Sequence, residues 1–312
     1  MEGGAIAAPL SGDARTRVRR ARSRKLTVTG LLFLAPALVF YLAIVAYPIV
    51  YSGYLSFFRW NGVAPQMSFV GLRNYTLLLT TNPVFWTALR NNAVWIICAL
   101  IMPNGIGFAL ALVLNSRVPG RAVFRSIFYF PSTLSLAVVG LIWTWIYHPQ
   151  LGLLNQFLGA IGLQSLQLYW LSDPRLALFS VIAAASWAAA GLPMLLYLAG
   201  LQTIPAEMLE AAALEGATRL QTIRHIIVPL LRETTLIILA ITTINSLKVY
   251  DIIFAMTYGG PANKTQVLGT LMYFLTYQEN NVGAGTAVAM ILLVLTLCLA
   301  IPYLRHLSRE TV

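Results

Sequence analysis

The stretch EAAALEGATRLQTIRHIIVP, Glu210–Pro229, gathers acidic residues in a chain that has few of them. Glu207, Glu210 and Glu215 fall within nine residues, although the 312 residues include only 10 Asp and Glu. Long apolar runs precede and follow this stretch. A short charged segment between two apolar runs is typical of a loop at a membrane surface.

The composition indicates a membrane protein. Hydrophobic residues make up 58% of the chain and charged residues 10%, which leaves too few polar side chains to cover a compact fold in water. The formal net charge of +11 could suggest nucleic acid. The basic residues, however, collect in short segments beside apolar runs, a pattern that orients helices in a bilayer. We therefore expect an integral membrane protein that contacts lipid and binds no nucleic acid.

Six apolar runs are long enough for a spanning helix, which needs about 20 residues. If the N-terminus is inside the cell, 15 of the 21 Lys and Arg lie in inner segments and six in outer ones. The excess of inner positive charge predicts an all-α protein with six transmembrane helices and cytoplasmic N- and C-termini. The predicted spans lie near residues 30–52, 92–114, 127–147, 176–200, 230–253 and 284–304.

The segments outside and within the spans differ in composition. Residues 1–25 combine Gly and Ala with many Arg, which predicts a mobile basic cytoplasmic tail before a transmembrane domain at 26–312. The outer connections 59–91 and 148–175 contain turn dipeptides and are expected to be loops with short amphipathic pieces. Span four, SVIAAASWAAAGLPMLLYLAG, is rich in Ala and Gly, which let helix backbones approach closely in lipid.

The loop at about 203–229 connects spans four and five and is predicted to be cytoplasmic. Glu207 and Glu210, one turn apart, favour the positive end of a helix dipole. Gly216 interrupts that helix, and a second short helical piece is expected at about Thr218 to His225. The expected result is a helix-turn-helix on the membrane surface, although composition alone also allows an ordinary interfacial loop.

The spacing within this loop resembles the signature loop of ATP-binding-cassette importer permeases. Glu210-Ala211-Ala212 is followed after three residues by Gly216 and after nine more by Ile226. Val228-Pro229 ends the pattern, with Val where Leu is usual. In that family the loop docks on the ATPase subunit. The resemblance implies type I importer permease architecture and an ATPase-coupling loop that contains Glu207, Glu210, Ala211, Ala212, Glu215, Gly216, Ile226 and Pro229.

The remainder of the chain is similar to carbohydrate-type permeases, in particular the first permease subunit of the maltose and glycerol-3-phosphate transporter group. The matching segments are Val70–Tyr75, Phe124–Asn155 and an outer turn with Gly259, Gly260 and Pro261. The resemblance implies a multi-pass protein of a prokaryotic plasma (inner) membrane that carries a sugar or related carbohydrate. A permease for glycerol-3-phosphate or a glycerophosphodiester is the alternative. The implied partners are a second homologous permease, two ATP-binding subunits holding ATP and Mg, and an external solute-binding (lipo)protein.

The chain itself has no phosphate-binding loop, because none of its lysines, Lys25, Lys248 and Lys264, follows a glycine. Uphill transport would then need a separate ATPase or an ion gradient. Gradient-driven carriers usually place ionisable groups within their spans, and most acidic residues here lie outside them. A secondary transporter is therefore disfavoured, while only the loop pattern disfavours a structural scaffold. We expect no catalytic residue, no cofactor bound by this chain and no metal site.

Polar residues within the spans could line a solute path. Span five carries a polar stripe at near-helical spacing, which fits either hydrogen bonding between helices or contact with solute. A lysine and an aspartate three residues apart at its outer end fit either a boundary ion pair or a gate. A tryptophan in span four could stack on a sugar ring. The predicted path consists of Trp187, Thr235, Thr242, Asn245, Lys248 and Asp251.

Overall fold

The computed structural model describes residues 33–116 and 119–310, with side chains as far as Pro302. The described chain is mostly helical. It divides into two compact units, Met1–Tyr54 and Leu55–Val312. The basic tail predicted at 1–25 lies outside the described residues.

Helices form both units, and the second also has a short hairpin. Helix α1, Phe33–Leu55, accounts for the described part of the first unit and ends at the first residue of the second. In the second unit, strands β1, Phe58–Arg59, and β2, Ser68–Phe69, pair antiparallel. The helices that follow are α2 Arg73–Thr80, α3 Pro83–Asn115, α4 Arg121–Tyr129, α5 Leu136–Ile146, α6 Leu153–Ala160, α7 Ala177–Ala189, α8 Gly191–Gln202, α9 Ala206–Leu214, α10 Arg219–Leu230, α11 Arg232–Leu247, α12 Asp251–Thr257, α13 Leu268–Tyr273 and α14 Val282–Glu310.

Within the described residues, three helices are individually long and apolar enough to cross a membrane, namely α1, α3 and α14 as far as Pro302. Helix α3 begins well before the predicted start near residue 92. Asn82 caps it, since the Asn82 side-chain oxygen accepts two first-turn amides at 3.0 and 3.1 Å, and Pro83 occupies the first helical position. The outer connection predicted at 59–91 is correspondingly shorter.

The other three predicted spans are pairs of helices bent at a short break. The pair α4–α5 bends by 101°, α7–α8 by 43° and α10–α11 by 70°. A proline lies within three residues of each break, namely Pro131, Pro193 and Pro229. Proline lacks a backbone donor and crowds the preceding turn, which favours a bend. The predicted span at 127–147 is therefore not one straight helix. Its second half, α5, has 11 residues and is only about 16 Å long. Within the part of the chain that the structure describes, there are six candidate spans when each bent pair counts as one.

The span predicted at 230–253 also ends early. Helix α11 stops at Leu247, and α12 starts at Asp251 after Tyr250, whose φ of −150° and ψ of −58° are not helical. Helices α12 and α13, the latter continued by a π turn at Phe274–Gln278, then occupy a segment in which the sequence indicated only an outer turn. Both helices contribute buried residues to the core.

Close packing of α3 on α8 organises the core. Gly107 makes this contact possible, because a Cβ at that position would lie 2.7 Å from the Met194 amide nitrogen and 2.7 Å from Pro193 Cβ. Small residues in α7 and α8 are largely buried, as the Ala- and Gly-rich sequence of span four predicted.

A second close approach joins α8 to α11. A Cβ at Gly200 would lie 2.7 Å from Leu231 Cδ2 and 2.8 Å from Thr234 Oγ1. The loop between α8 and α11 therefore begins and ends at neighbouring points in the fold.

Gly107→Ala should destabilise the protein, because α8 has to move to admit the methyl group. Overpacking of this kind costs about 1–3 kcal/mol, so the thermal unfolding midpoint in detergent should fall. Gly105→Ala is the matched control, since a Cβ at Gly105 meets no atom within 4 Å and alanine is favoured in helices. Equal midpoints for the two variants would contradict the close contact.

Candidate functional site

A cavity of about 400 Å³ lies where α3, α7, α8 and α11 meet. Most of its wall is apolar, which is usual for a small-molecule site. The end of α11 and the break before α12 supply much of the remainder. The polar and charged residues of the wall are Asn104, Ser132, Ser186, Thr242, Asn245, Ser246, Lys248, Tyr250 and Asp251.

Some of these polar groups already have partners in the protein. Asn104 is 4% exposed, its side-chain oxygen accepts the Thr242 hydroxyl at 3.3 Å, and its amide donates to the Leu100 carbonyl at 3.0 Å. The Ser246 hydroxyl donates to the Thr242 carbonyl at 2.7 Å. The bond between Asn104 and Thr242 ties α3 to α11, so Thr242 serves the hydrogen bonding between helices that the sequence left as one alternative.

Three other side chains of the wall are exposed and have free hydrogen-bonding groups. The side chains of Asn245, Lys248 and Asp251 form no hydrogen bond or ion pair with any described residue. The ion pair considered for Lys248 and Asp251 is absent, because α11 ends at Leu247 and the two residues do not share a helix. Each charge instead lies at a helix end that stabilises it, the lysine after α11 and the aspartate at the start of α12.

Trp187 and Thr235 lie outside the cavity wall. The Trp187 ring packs edge-on against Trp143, with ring centroids 5.7 Å apart. Tyr250 is an aromatic ring that does line the cavity, and its ring stacks on Phe254 at 5.2 Å. Nothing in the sequence distinguished Tyr250 from other aromatic residues near the span ends. Asn104 was also missed, although a buried amide beside Pro103 in an apolar run was a usable signal.

The acidic loop folds as two helices joined by a turn. Helix α9 starts directly after Pro205, and the turn depends on Gly216, whose φ of +78° is the left-handed conformation that glycine favours. Thr218 caps the next helix: its hydroxyl accepts the Gln221 amide at 3.4 Å, while its own amide donates to Gln221 Oε1 at 2.7 Å. Helix α10 then runs to Leu230, farther than the predicted end at His225.

One face of α9 carries both acidic and apolar side chains. Glu207, Glu210, Ala211 and Leu214 have the i, i+3, i+4, i+7 spacing of a single helix face, and all four are exposed. Leu214 is 90% exposed, which is unusual for a large apolar side chain. Ala212, on the other side, is buried.

The rest of the loop extends this surface. No carboxylate of Glu207, Glu210 or Glu215 forms an ion pair with a described residue. Leu220 in α10 is 74% exposed. Of the remaining residues predicted for the loop, Ile226 is half-buried and Pro229 is exposed.

The outer turn that contains Gly259, Gly260 and Pro261 is held by hydrogen bonds. Tyr258 and Gly259 both have left-handed backbones, with φ of 51° and 80°. The Thr265 hydroxyl donates to the Gly260 carbonyl at 2.6 Å. Asn91 of α3 donates to the carbonyls of Lys264 and Gln266, each at 2.8 Å. The turn is thereby fixed to α3, beyond the cavity.

Known proteins share both the sequence and the fold. Residues 103–309 match the family described as binding-protein-dependent transport system inner membrane component. A probable ABC transporter permease protein of Pyrococcus horikoshii is 38% identical over 88% of this chain and 94% of its own length. The trehalose/maltose transport system permease protein MalF of Thermococcus litoralis is 32% identical over 88% of this chain and 92% of its own.

A solved structure has the same fold. A chain of a bacterial ABC transporter that imports the acidic polysaccharide alginate superposes with a TM-score of 0.77, at 23% identity, covering 95% of this chain and all of that one. The family match covers most of the cavity wall, the acidic loop and the outer turn. This chain belongs to the family of inner membrane permease components of binding-protein-dependent ABC transport systems.

Proposed function

We propose that this chain is the transmembrane permease subunit of an ATP-driven importer of a sugar or related carbohydrate. The observation that carries the proposal is the exposed face of α9, which presents unpaired carboxylates and a projecting leucine on a loop held at both ends. The chain transports and catalyses no covalent reaction, and ATP and Mg are bound by separate ATPase subunits.

The loop has the features of a surface on which another protein docks. Exposed apolar side chains such as Leu214 and Leu220 are costly in water and stabilise a complex when a partner covers them. Glu207, Glu210 and Glu215 would complement a groove with basic edges and orient the docked subunit. The close approach at Gly200 holds the two ends of the loop together. A displacement of the loop would therefore be passed to α8 and α11.

The cavity supports a hydroxyl-rich solute. Asn245, Lys248 and Asp251 offer free donors and acceptors, and Tyr250 offers an aromatic ring on which the apolar face of a sugar can stack. Lys248 and Asp251 carry opposite charges, so the cavity wall is not selective for anions. This favours a neutral sugar over a phosphate ester. The Thermococcus litoralis relative is a trehalose/maltose transport system permease protein, which also favours a neutral sugar.

The full importer would contain this chain, a second homologous permease, two ATP-binding subunits and an external solute-binding protein. Both termini and the α9–α10 loop would be cytoplasmic, as the distribution of basic residues indicates. Closure of the ATPase subunits would draw the two permease loops together and open the cavity outward, where the loaded binding protein releases its solute. Reopening would turn the cavity inward.

Glu210→Lys should abolish ATP-dependent uptake without preventing membrane insertion, because it places a positive charge against the proposed basic groove. The ATPase subunits should also cease to co-purify with the variant. Glu279→Lys, a charge reversal at another exposed glutamate outside the loop, is the control and should keep the complex intact. Normal uptake by the Glu210 variant would remove the docking role from α9.

Asn245→Leu should reduce uptake about tenfold, the effect of losing roughly 1.4 kcal/mol of polar interaction with the solute. Trp187→Leu is the control, since Trp187 does not line the cavity, and its uptake should stay near wild type. Uptake would be measured with radiolabelled trehalose, maltose and other neutral sugars, and with glycerol 3-phosphate. Transport of glycerol 3-phosphate alone would contradict the sugar assignment, and equal loss in both variants would contradict the cavity as the path.

A further inference from the structure

The connection between α5 and α7 is free of charge and yet exposed. From Pro149 to Ser172 it contains no Asp, Glu, Lys or Arg. Several of its large apolar side chains are at least half exposed, and a loop in water would not normally present so many in one segment. They are Leu151, Leu153, Phe157, Ile161 and Tyr169.

One buried polar side chain, that of Asn155, holds this connection together. Asn155 is 5% exposed, and its amide donates to the carbonyls of Pro149 at 3.0 Å and Leu168 at 3.1 Å. Its side-chain oxygen accepts the Trp170 indole N–H at 2.8 Å. The Gln167 amide donates to the Asn155 carbonyl at 2.7 Å. The connection is thus a fixed structure, held by the bonds of Asn155, whose exposed surface contains large apolar side chains and uncharged polar ones.

Helix α6 places two exposed apolar side chains opposite the buried Asn155. Leu153 and Phe157 are four residues apart and share one face, and Asn155 lies on the opposite side. Leu153 is 69% exposed and Phe157 is 61% exposed. An apolar helix face of this kind needs an apolar environment to be stable.

We infer that α6 and the connection around it lie in the surface layer of the bilayer, with Leu153 and Phe157 against lipid. The connection joins α5 to α7, so both of its ends are at the ends of apolar, membrane-crossing segments. Tyr169, which is exposed, combines a ring with a polar group, as do residues found at the boundary of hydrocarbon and water. The surface is the one opposite the acidic loop, because the bent pair α7–α8 runs between them.

A transient protein partner fits the surface less well. The external binding protein has to dissociate in each cycle, and departure would return these side chains to water. Non-obligate protein interfaces are also about as polar as ordinary protein surface. A bilayer covers the face at all times and requires no charge complementarity.

Spin labels test this inference on the full chain in vesicles of phosphatidylcholine and phosphatidylglycerol. The native thiols Cys98 and Cys298 are first replaced by alanine, and Leu153→Cys or Phe157→Cys is then labelled. Leu214→Cys is the matched control, a leucine of similar exposure on the acidic loop. Collisions with oxygen, which partitions into lipid, and with a water-soluble nickel chelate are measured for each label.

The labels at 153 and 157 should collide several-fold more often with oxygen than with nickel, and the label at 214 should show the reverse. Each position is tested separately, so failure of one variant to insert leaves the other. A high nickel collision rate at both positions would place the face in water and overturn the inference. Low rates with both reagents would place it under another protein surface, which would overturn it equally.

Discussion

Close packing at a glycine on each of two sides of α8 is the constraint on which the rest of the structure depends. Gly107 admits α8 against α3, and Gly200 admits it against the start of α11. Helices gain little from hydrophobic association in lipid, so the close packing that small residues such as glycine allow supplies much of the packing energy. Because α8 is held on both sides, the cavity wall and the base of the acidic loop belong to one packed group of helices.

The same arrangement explains why bent helices are tolerated in a chain this apolar. Backbone groups within a bilayer have to be satisfied inside the protein or by water in a cavity. At the bend between α7 and α8, the Ser132 hydroxyl donates to the Ala188 carbonyl at 2.5 Å. The break between α11 and α12 borders the cavity instead, where a solute or water can reach it. Irregular backbone and candidate solute contacts therefore coincide at residues 248–251.

Local patterns in the sequence predicted a good deal of this fold. The apolar runs, the small residues of span four and the turn at Gly216 are properties of short segments, and all three are present in the structure. The bends were not predicted, because hydropathy counts a proline such as Pro131 as one more residue of an apolar run. The exposure of Leu214 could not be predicted either, since its spacing suits a buried helix face equally well.

The cavity was least accessible to sequence reasoning because its wall comes from segments far apart in the chain. Asn104 and Thr242 meet across 138 residues of sequence, and no local pattern links them. Asn245 was identified in the polar stripe of span five, and Lys248 and Asp251 at its outer end, but the helix break that precedes Asp251 was not predicted. Trp187 was chosen for its ring, whereas the fold places the ring of Tyr250 at the cavity.

The most direct test of the account is a photo-crosslinking amino acid placed at Leu214 in the assembled transporter within native membranes. The account predicts a crosslink from the exposed face of α9 to an ATP-hydrolysing subunit, with a yield that changes when nucleotide is added. Adducts found only with lipid or with this chain itself would mean that no ATPase subunit binds the loop, and would contradict the account.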